Sequence, residues 1–257
     1  MVQILTFLVA HWILCVFCQT FFLHRYGAHA MFSMGKGWER FFHLLTFLCQ
    51  GSSYLNPRAY AILHREHHAY SDTQKDPHSP HVYPNLFKMM AHTLERYQAH
   101  SHRRIEAESR FDTGAPEWPL IDKIGRSWPA HLAFAGAYIA FYVVFAPSWH
   151  WYALLPIHFM MGPIHGAIVN WCGHKYGYRN FETTEADKSK NTLVFDFVTF
   201  GELFQNNHHK YGMSPNFAAR WFEIDPTYPI IKVLHWLRII DLGERPQVAR
   251  YPAVDAA

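Results

Sequence analysis

Polar and apolar positions fall into long blocks along this chain before any finer periodicity is read. No Asp, Glu, Lys or Arg precedes Arg25, and none lies between Arg126 and Lys175. The first block is long enough for one helix across a bilayer, which needs about 20 apolar residues; it predicts a span over 2–23. The second is about twice that length and is interrupted near its middle by Ala146-Pro147-Ser148. It predicts a helical hairpin with spans over 130–146 and 149–172. A third apolar stretch, Phe41 to Pro57, is bracketed by Arg40 and Arg58 and carries Gln50-Gly51-Ser52-Ser53. It is too short to cross and predicts an interfacial or re-entrant helix. The fold class expected is all-α: an integral membrane helical bundle of about three spans plus that helix, with a helical cytoplasmic cap.

Three spans leave the N-terminus outside and the 24–127 segment inside. All 23 Lys and Arg then face the cytoplasm, and the 147–150 turn carries none, as the positive-inside rule expects. No basic residue precedes the first apolar run and no small-residue cleavage site follows it, which argues against a signal peptide. A single domain is expected over 1–242, with a flexible tail over 243–257. The segment Tyr228 to Leu242 suits either an interfacial helix or packing onto the cap.

Composition changes this picture little. Of 257 residues, 50% are hydrophobic and only 17% charged, against a usual quarter or so. A net charge of +3 is too small to argue for a nucleic-acid partner. The mean hydropathy of −0.13 would not by itself announce a membrane protein; the distribution of charge does. The four cysteines do not form a disulfide framework. Cys15 and Cys18 lie within an apolar helix and read as packing, as does Cys49, while Cys172 neighbours His174.

The histidines carry the chemistry. There are 20, and four groups stand at or just beyond the cytoplasmic ends of helices: His24-Arg-Tyr-Gly-Ala-His29, His64-Arg-Glu-His67-His68, Asn170-Trp-Cys-Gly-His174 and Gln205-Asn-Asn-His208-His209. Positions i, i+3 and i+4 share one helix face within an arc of about 100°. His64, His67 and His68 can therefore converge, as can Gln205, His208 and His209, and Asn170 shares a face with His174. His24 and His29 stand about 140° apart on an α-helix, so the helix is expected to end or loosen between them, at Gly27. His11, His131, His150, His158 and His165 stand alone and read as hydrogen-bonded core residues.

Neutral imidazole suits iron, copper, zinc and nickel. Eight clustered histidines exceed the four ligands of one structural zinc by about a factor of two, so a pair of metals is the economical reading. Soluble di-iron bundles use Glu-x-x-His pairs, and none occurs here. The centre must be built almost entirely from nitrogen.

The order H-x4-H, H-x2-H-H, N-x3-H, Q-x2-H-H resembles the membrane fatty-acid desaturases, specifically the acyl-CoA (delta-9-like) branch in a bacterial type with a Q-x2-H-H last box. The surrounding words match: His64-Arg-Glu-His-His-Ala-Tyr-Ser-Asp-Thr followed by Asp76-Pro77-His78, His174-Lys-Tyr-Gly-Tyr-Arg179, and Gly201-Glu202-Leu-Phe-Gln-Asn-Asn-His-His. The resemblance runs from about residue 20 to 215, and the Asn-x3-His element separates desaturases from related hydroxylases. It implies a non-haem di-iron centre that uses O2 and two electrons to remove two hydrogens from an acyl chain. The iron ligands would be His24, His29, His64, His67, His68, His174, His208 and His209, with Asn170 holding a metal through a water. Gln205 stands where that branch has histidine, and the first transmembrane helix of larger relatives is missing.

Glu66, Asp72, Asp76 and Glu202 are candidates to orient the imidazoles from behind. Arg25, Arg58, Arg103, Arg104 and Arg179 are candidates for a CoA phosphate or lipid headgroups, against plain membrane anchoring. No G-x-G-x-x-G and no haem domain is visible, so electrons are expected from a ferredoxin- or cytochrome b5-type partner. The substrate expected is a membrane lipid or acyl-CoA, and the location the bacterial inner membrane with the site on its cytoplasmic side. The alternatives are a di-iron hydroxylase or ketolase acting on a lipid or carotenoid, and a metal transporter, whose ligands would lie near the bilayer midplane.

Overall fold

The computed structural model describes residues 1–243. The fold is helical: α1 (Val2–Cys18), α2 (Lys36–Gln50), α3 (Pro57–Tyr70), α4 (Leu86–Ser101), α5 (Pro119–Gly125), α6 (Trp128–Phe145), α7 (Leu155–Phe159), α8 (Met161–Lys175), α9 (Gln205–Lys210) and α10 (Thr227–Trp236). Several starts are written locally. Asn56 caps α3 by accepting from the Ala59 N–H ahead of Pro57, and Asn85 and Ser127 cap α4 and α6 in the same way; these side chains satisfy backbone donors that the first turn leaves free. Two short strands, β1 (Ser33–Met34) and β2 (Ile240–Asp241), pair antiparallel. The tail expected after Gly243 lies outside the described residues.

The first apolar block forms one continuous helix over Val2–Ala28, 27 residues long. It exceeds the expected 2–23 because α1 passes at Cys18 into a π-helix over Gln19–Ala28. The loosening expected at Gly27 therefore begins earlier and does not end the helix. Its consequence for the site is direct: the His29 N–H donates to the His24 carbonyl, five residues back, at 3.1 Å. A π-turn brings i and i+5 close to one face, which an α-helix would not.

α2 runs back antiparallel along α1. Phe42 packs at a tilt against Phe21 and His43 meets Phe22 edge-on at one end, while His11 reaches the Cys49 carbonyl at the other. The chain turns at Gly51, where φ is +53°, and returns as α3. The third apolar stretch, expected to be interfacial or re-entrant, thus forms one arm of a helical hairpin.

α6 is the second helix long and apolar enough to cross a membrane. Its outer face exposes Leu132, Ile139, Val143 and Val144, as a lipid-facing helix would. Over the expected span 149–172, Trp149–Phe159 and Met161–Lys175 meet at a bend of 69°. Pro163 cannot donate to the Phe159 carbonyl four residues back. The Ser52 hydroxyl donates to that carbonyl instead at 3.3 Å, and the Gly162 N–H donates to Ser53 Oγ at 3.2 Å. The tip of this α2–α3 hairpin thus sits in the break of the third candidate span.

Among the described residues, three apolar clusters hold these parts, the smallest being Ile62 and Ala69 of α3 with Phe111. Ile4, Tyr138, Tyr142 and Leu155 pack one end of the bundle. Phe21, Phe22, Phe32, Phe42, Phe204 and Phe217 join α1, α2 and the cap at the other. α10 contributes Ile231 to the second core while Val233 and Trp236 stay exposed. Of the expected Tyr228–Leu242 helix, the part beyond Trp236 ends in β2 instead.

Of the five histidines expected to be hydrogen-bonded core residues, His11, His131 and His158 are hydrogen-bonded. By contrast, His150 is exposed, and buried His165 has no hydrogen-bond partner for either ring nitrogen among the described residues. Tyr142 O–H donates to His158 Nε2 at 3.0 Å, His158 Nδ1 meets His11 Nδ1 at 2.8 Å, and His11 Nε2 meets the Cys49 carbonyl at 3.0 Å. One tautomer of each ring makes every link a proper donor–acceptor pair. His131 likewise meets the Gly125 carbonyl at 2.9 Å.

Candidate metal centre

The π-helix, α3 and α9 deliver five imidazoles to one point. His24 Nε2 lies 3.0 Å from His208 Nε2, His29 Nε2 lies 2.7 Å from His64 Nε2, and His68 Nε2 lies 2.9 Å from His208 Nε2. A neutral imidazole has one donor and one acceptor nitrogen, so His208 Nε2 cannot make good hydrogen bonds to two other Nε2 atoms of unknown partners as naturally as it can share a cation with them. One ligand atom from each of these five residues lies within 4.8 Å of every other. Behind them, Glu202 Oε2 is 2.6 Å from His24 Nδ1, and Phe217 covers His208 and His24 with ring centres 4.5 and 5.5 Å away. The buried Arg25–Asp225 pair, 2.8 Å apart, anchors Phe217 in turn, with the guanidinium 4.0 Å over its ring.

A second pocket adjoins the first. His67 on α3, His174 at the end of α8 and His209 on α9 form a near-equilateral triangle with ring centres 4.8, 5.0 and 5.0 Å apart. Each Nδ1 faces its own carboxylate: Asp76 at 2.9 Å, Asp72 at 2.8 Å and Asp187 at 3.2 Å. Each Nε2 is buried and has no hydrogen-bond partner among the described residues. Leaving such a nitrogen unpaired costs about 1–3 kcal/mol. Three of them turned together, with the opposite nitrogens fixed by carboxylates, fit a metal ion held by imidazole.

The electrostatics favour the ligating form. Burial first, and then the neighbouring imidazoles, hold His64, His67, His68 and His208 well below the usual histidine range. Their rings are therefore neutral, with a lone pair available. Burial pushes Asp72 and Asp187 upward, but the facing His174 and His209 hold both below the ordinary carboxylate value. Burial raises Asp76 to about 6.

The eight histidines expected as ligands are thus divided between two pockets, five and three. Asn170 lies half-buried one turn before His174 on α8. Gln205 is buried, with its amide nitrogen donating to the Glu202 carbonyl at 2.6 Å and its Cγ against Gly173. Of the four proposed carboxylates, Asp72, Asp76 and Glu202 face imidazoles, while Glu66 is turned away to Arg96 at 2.9 and 3.0 Å. Asp187 was missed, since it stands in a polar loop with no spacing to mark it. Three of the five arginines considered for headgroups are paired with carboxylates: Arg25 with Asp225, Arg58, buried, with Asp112, and Arg103, exposed, with Glu117.

The family model for fatty acid desaturases matches residues 1–234. The chain belongs to the fatty acid desaturase family. It is similar to the sn-1 stearoyl-lipid 9-desaturase of Anabaena variabilis, 26% identical over 248 residues, covering 93% of this chain and 84% of that protein. The sn-1 stearoyl-lipid 9-desaturase of Synechocystis sp. is 28% identical over 244 residues, covering 88% and 67%. The acyl-CoA C20 Delta5-desaturase of Anemone leveillei is 29% identical over 232 residues, covering 86% and 67%. This desaturase is an oxidoreductase of lipid metabolism and a membrane protein, its histidine clusters are suited to metal, and its substrate is a lipid or acyl chain. The hydroxylase or ketolase alternative is not favoured by these relatives.

Proposed function

We propose that the two pockets hold a pair of iron ions and that the protein inserts a double bond into a fatty acyl chain carried on a membrane lipid or CoA. The observation that carries this reading is the triangle of His67, His174 and His209, with three unpartnered Nε2 atoms inward and three carboxylates behind. Bound there and beside His24, His29, His64, His68 and His208, iron supplies the O2-derived oxidant for an unactivated C–H bond. The balance requires two hydrogens from the chain, two electrons and two protons from outside, and O2 leaving as two waters. Asn170 and Gln205 are the remaining polar groups proposed to contact the centre.

The chain's own part is positioning. Glu202, Asp76, Asp72 and Asp187 face the Nδ1 atoms of His24, His67, His174 and His209 and so keep those four Nε2 atoms aimed inward. Burial keeps the rings of His64, His67, His68 and His208 neutral. His24, His29 and His174 stand at the ends of Val2–Ala28 and Met161–Lys175, so an acyl chain within the bilayer reaches the centre along apolar helices. The apolar block pattern supports a multi-pass arrangement in a bacterial inner membrane with the site on the cytoplasmic side. Electrons would come from a separate ferredoxin- or cytochrome b5-type donor docking on the cap.

The test is expression of the wild type and His67→Ala in a host lacking desaturases, with a competent reductase present, and profiling of total fatty acids. New unsaturated species are expected from the wild type alone. No new species from the wild type would sink the reaction; equal products from His67→Ala would refute the site.

A further inference from the structure

The two pockets are unequal, five imidazoles against three. Iron bound by imidazole takes at least four ligands as a rule, and more when positions are kept for oxygen. Gln205 does not make up the difference with its nitrogen, which is committed to the Glu202 carbonyl at 2.6 Å, and a Gly173 hydrogen is all that separates its Cγ from α8. Beside the poorer pocket stands a ninth histidine. His78 is 5% exposed, and neither of its ring nitrogens has a hydrogen-bond partner among the described residues. Its ring centre is 4.4 Å from that of His67, nearer than either His174 or His209.

His78 is also tied to the same anchor. Asp76 Oδ1 accepts the His78 backbone N–H at 2.9 Å while Asp76 Oδ2 meets His67 Nδ1 at 2.9 Å. One ligand atom each from His67, Asp76 and His78 lies within 4.8 Å of the others. His78 stands outside the group that His67, His174 and His209 form within 4.8 Å, so its ring must turn toward their Nε2 atoms to share an ion with them. A buried imidazole with two idle nitrogens has no structural reason to be polar; phenylalanine or leucine would fill the space without an unpaired donor.

We propose that His78 is the fourth imidazole of the second pocket, completing the metal site formed by His67, His174 and His209. This rests on the two-metal reading above. The bidirectional grip of Asp76 then serves both histidines: it orients one ring and places the backbone of the other.

Iron per chain is measured by elemental mass spectrometry, with Mössbauer spectra of iron-57-grown protein, on the full-length protein in detergent. Wild type is expected to hold two irons. His78→Ala is expected to hold roughly half as much, and to lose one of the two iron environments. His78→Ala/Gln205→His is expected to regain the lost iron, because a histidine at 205 restores an imidazole on the α9 face shared with His209. A folded His78→Ala with unchanged iron content and spectrum overturns the assignment. If His78→Ala is not recovered folded, His78→Phe, which fills the same space without a nitrogen, decides: half the iron supports the assignment, full iron overturns it. A wild type without iron overturns the two-metal reading itself, and is distinguished by failing before any variant is compared.

Discussion

Asp72 Oδ2 lies 2.8 Å from His174 Nδ1, joining the turn after α3 to the end of α8 across 102 positions of the chain. The same oxygen accepts the Lys188 N–H at 2.8 Å. Asp72 itself has a φ of +58°, a left-handed conformation that Asp and Asn tolerate better than most residues. Asp72→Asn therefore keeps the backbone while removing the charge behind His174. Metal affinity is expected to fall about 10–100-fold, read as faster iron loss to a chelator. Equal chelator resistance in the two proteins would show that Asp72 does not support the ligand.

The buried imidazoles make the metal-free protein sensitive to acid. His64, His67, His68 and His208 have folded values depressed below the ordinary 6.5, so the folded state binds fewer protons than the unfolded chain. Their stabilisation is present above about 6.5 and is lost as pH falls below it toward the folded values. Asp76, raised to about 6 from 3.8, and Asp225, raised by burial, act in the opposite sense, as does His174, which burial lowers but the facing Asp72 holds up to about 9. His78, lowered by burial to about 3, joins the four and leaves the larger number on their side. Thermal melting of metal-free protein in detergent should therefore drop between pH 7.5 and 5.5. A flat profile would contradict the neutral cluster.

Arg25 and Asp225 form a fully buried pair. Arg25→Ala leaves a carboxylate without its partner and is expected to cost about 3–5 kcal/mol. Arg25→Met/Asp225→Leu removes both charges and should recover most of that loss. Melting temperatures of the three proteins decide; a double variant no better than Arg25→Ala would show that the pair contributes through geometry other than charge balance.

Gly51 turns α2 into α3 with φ at +53°, and a Cβ there would come 1.8 Å from the Tyr138 hydroxyl oxygen. Gly51→Ala is expected to cost about 1–3 kcal/mol in backbone strain alone, and more from the clash. Adding Tyr138→Phe should return the clash part only. Full recovery by Tyr138→Phe, measured by thermal melting, would mean the backbone is not strained.

What the sequence makes legible is local. His64, His67 and His68 declare their common face by i, i+3 and i+4 spacing alone, and Asp72 and Asp76 are near enough in the chain to be suspected with them. Asp187 is not, because it meets His209 from 22 positions away within an irregular loop. Pro163 was visible inside the apolar block, but its effect depends on Ser52 and Ser53 arriving from the hairpin tip to satisfy the freed groups. The π-helix left no compositional mark at all. Its only trace was the five-residue spacing of His24 and His29, which an α-helix could not accommodate.

The wide turns of Gln19–Ala28 reconcile two rotational demands placed on one helix. The Val2–Cys18 end is oriented by Ile4 and Phe7 against α6, and the far end by His24 and His29 against α3 and α9. An α-helix steps about 100° per residue, so its two ends cannot be aimed independently at fixed length. Backbone bonds reaching five residues back take one more residue into each turn and work as a phase shifter between bilayer and metal. Deleting one residue there would leave a helix still long enough to cross the membrane, yet with its lipid face and its ligand face no longer in step.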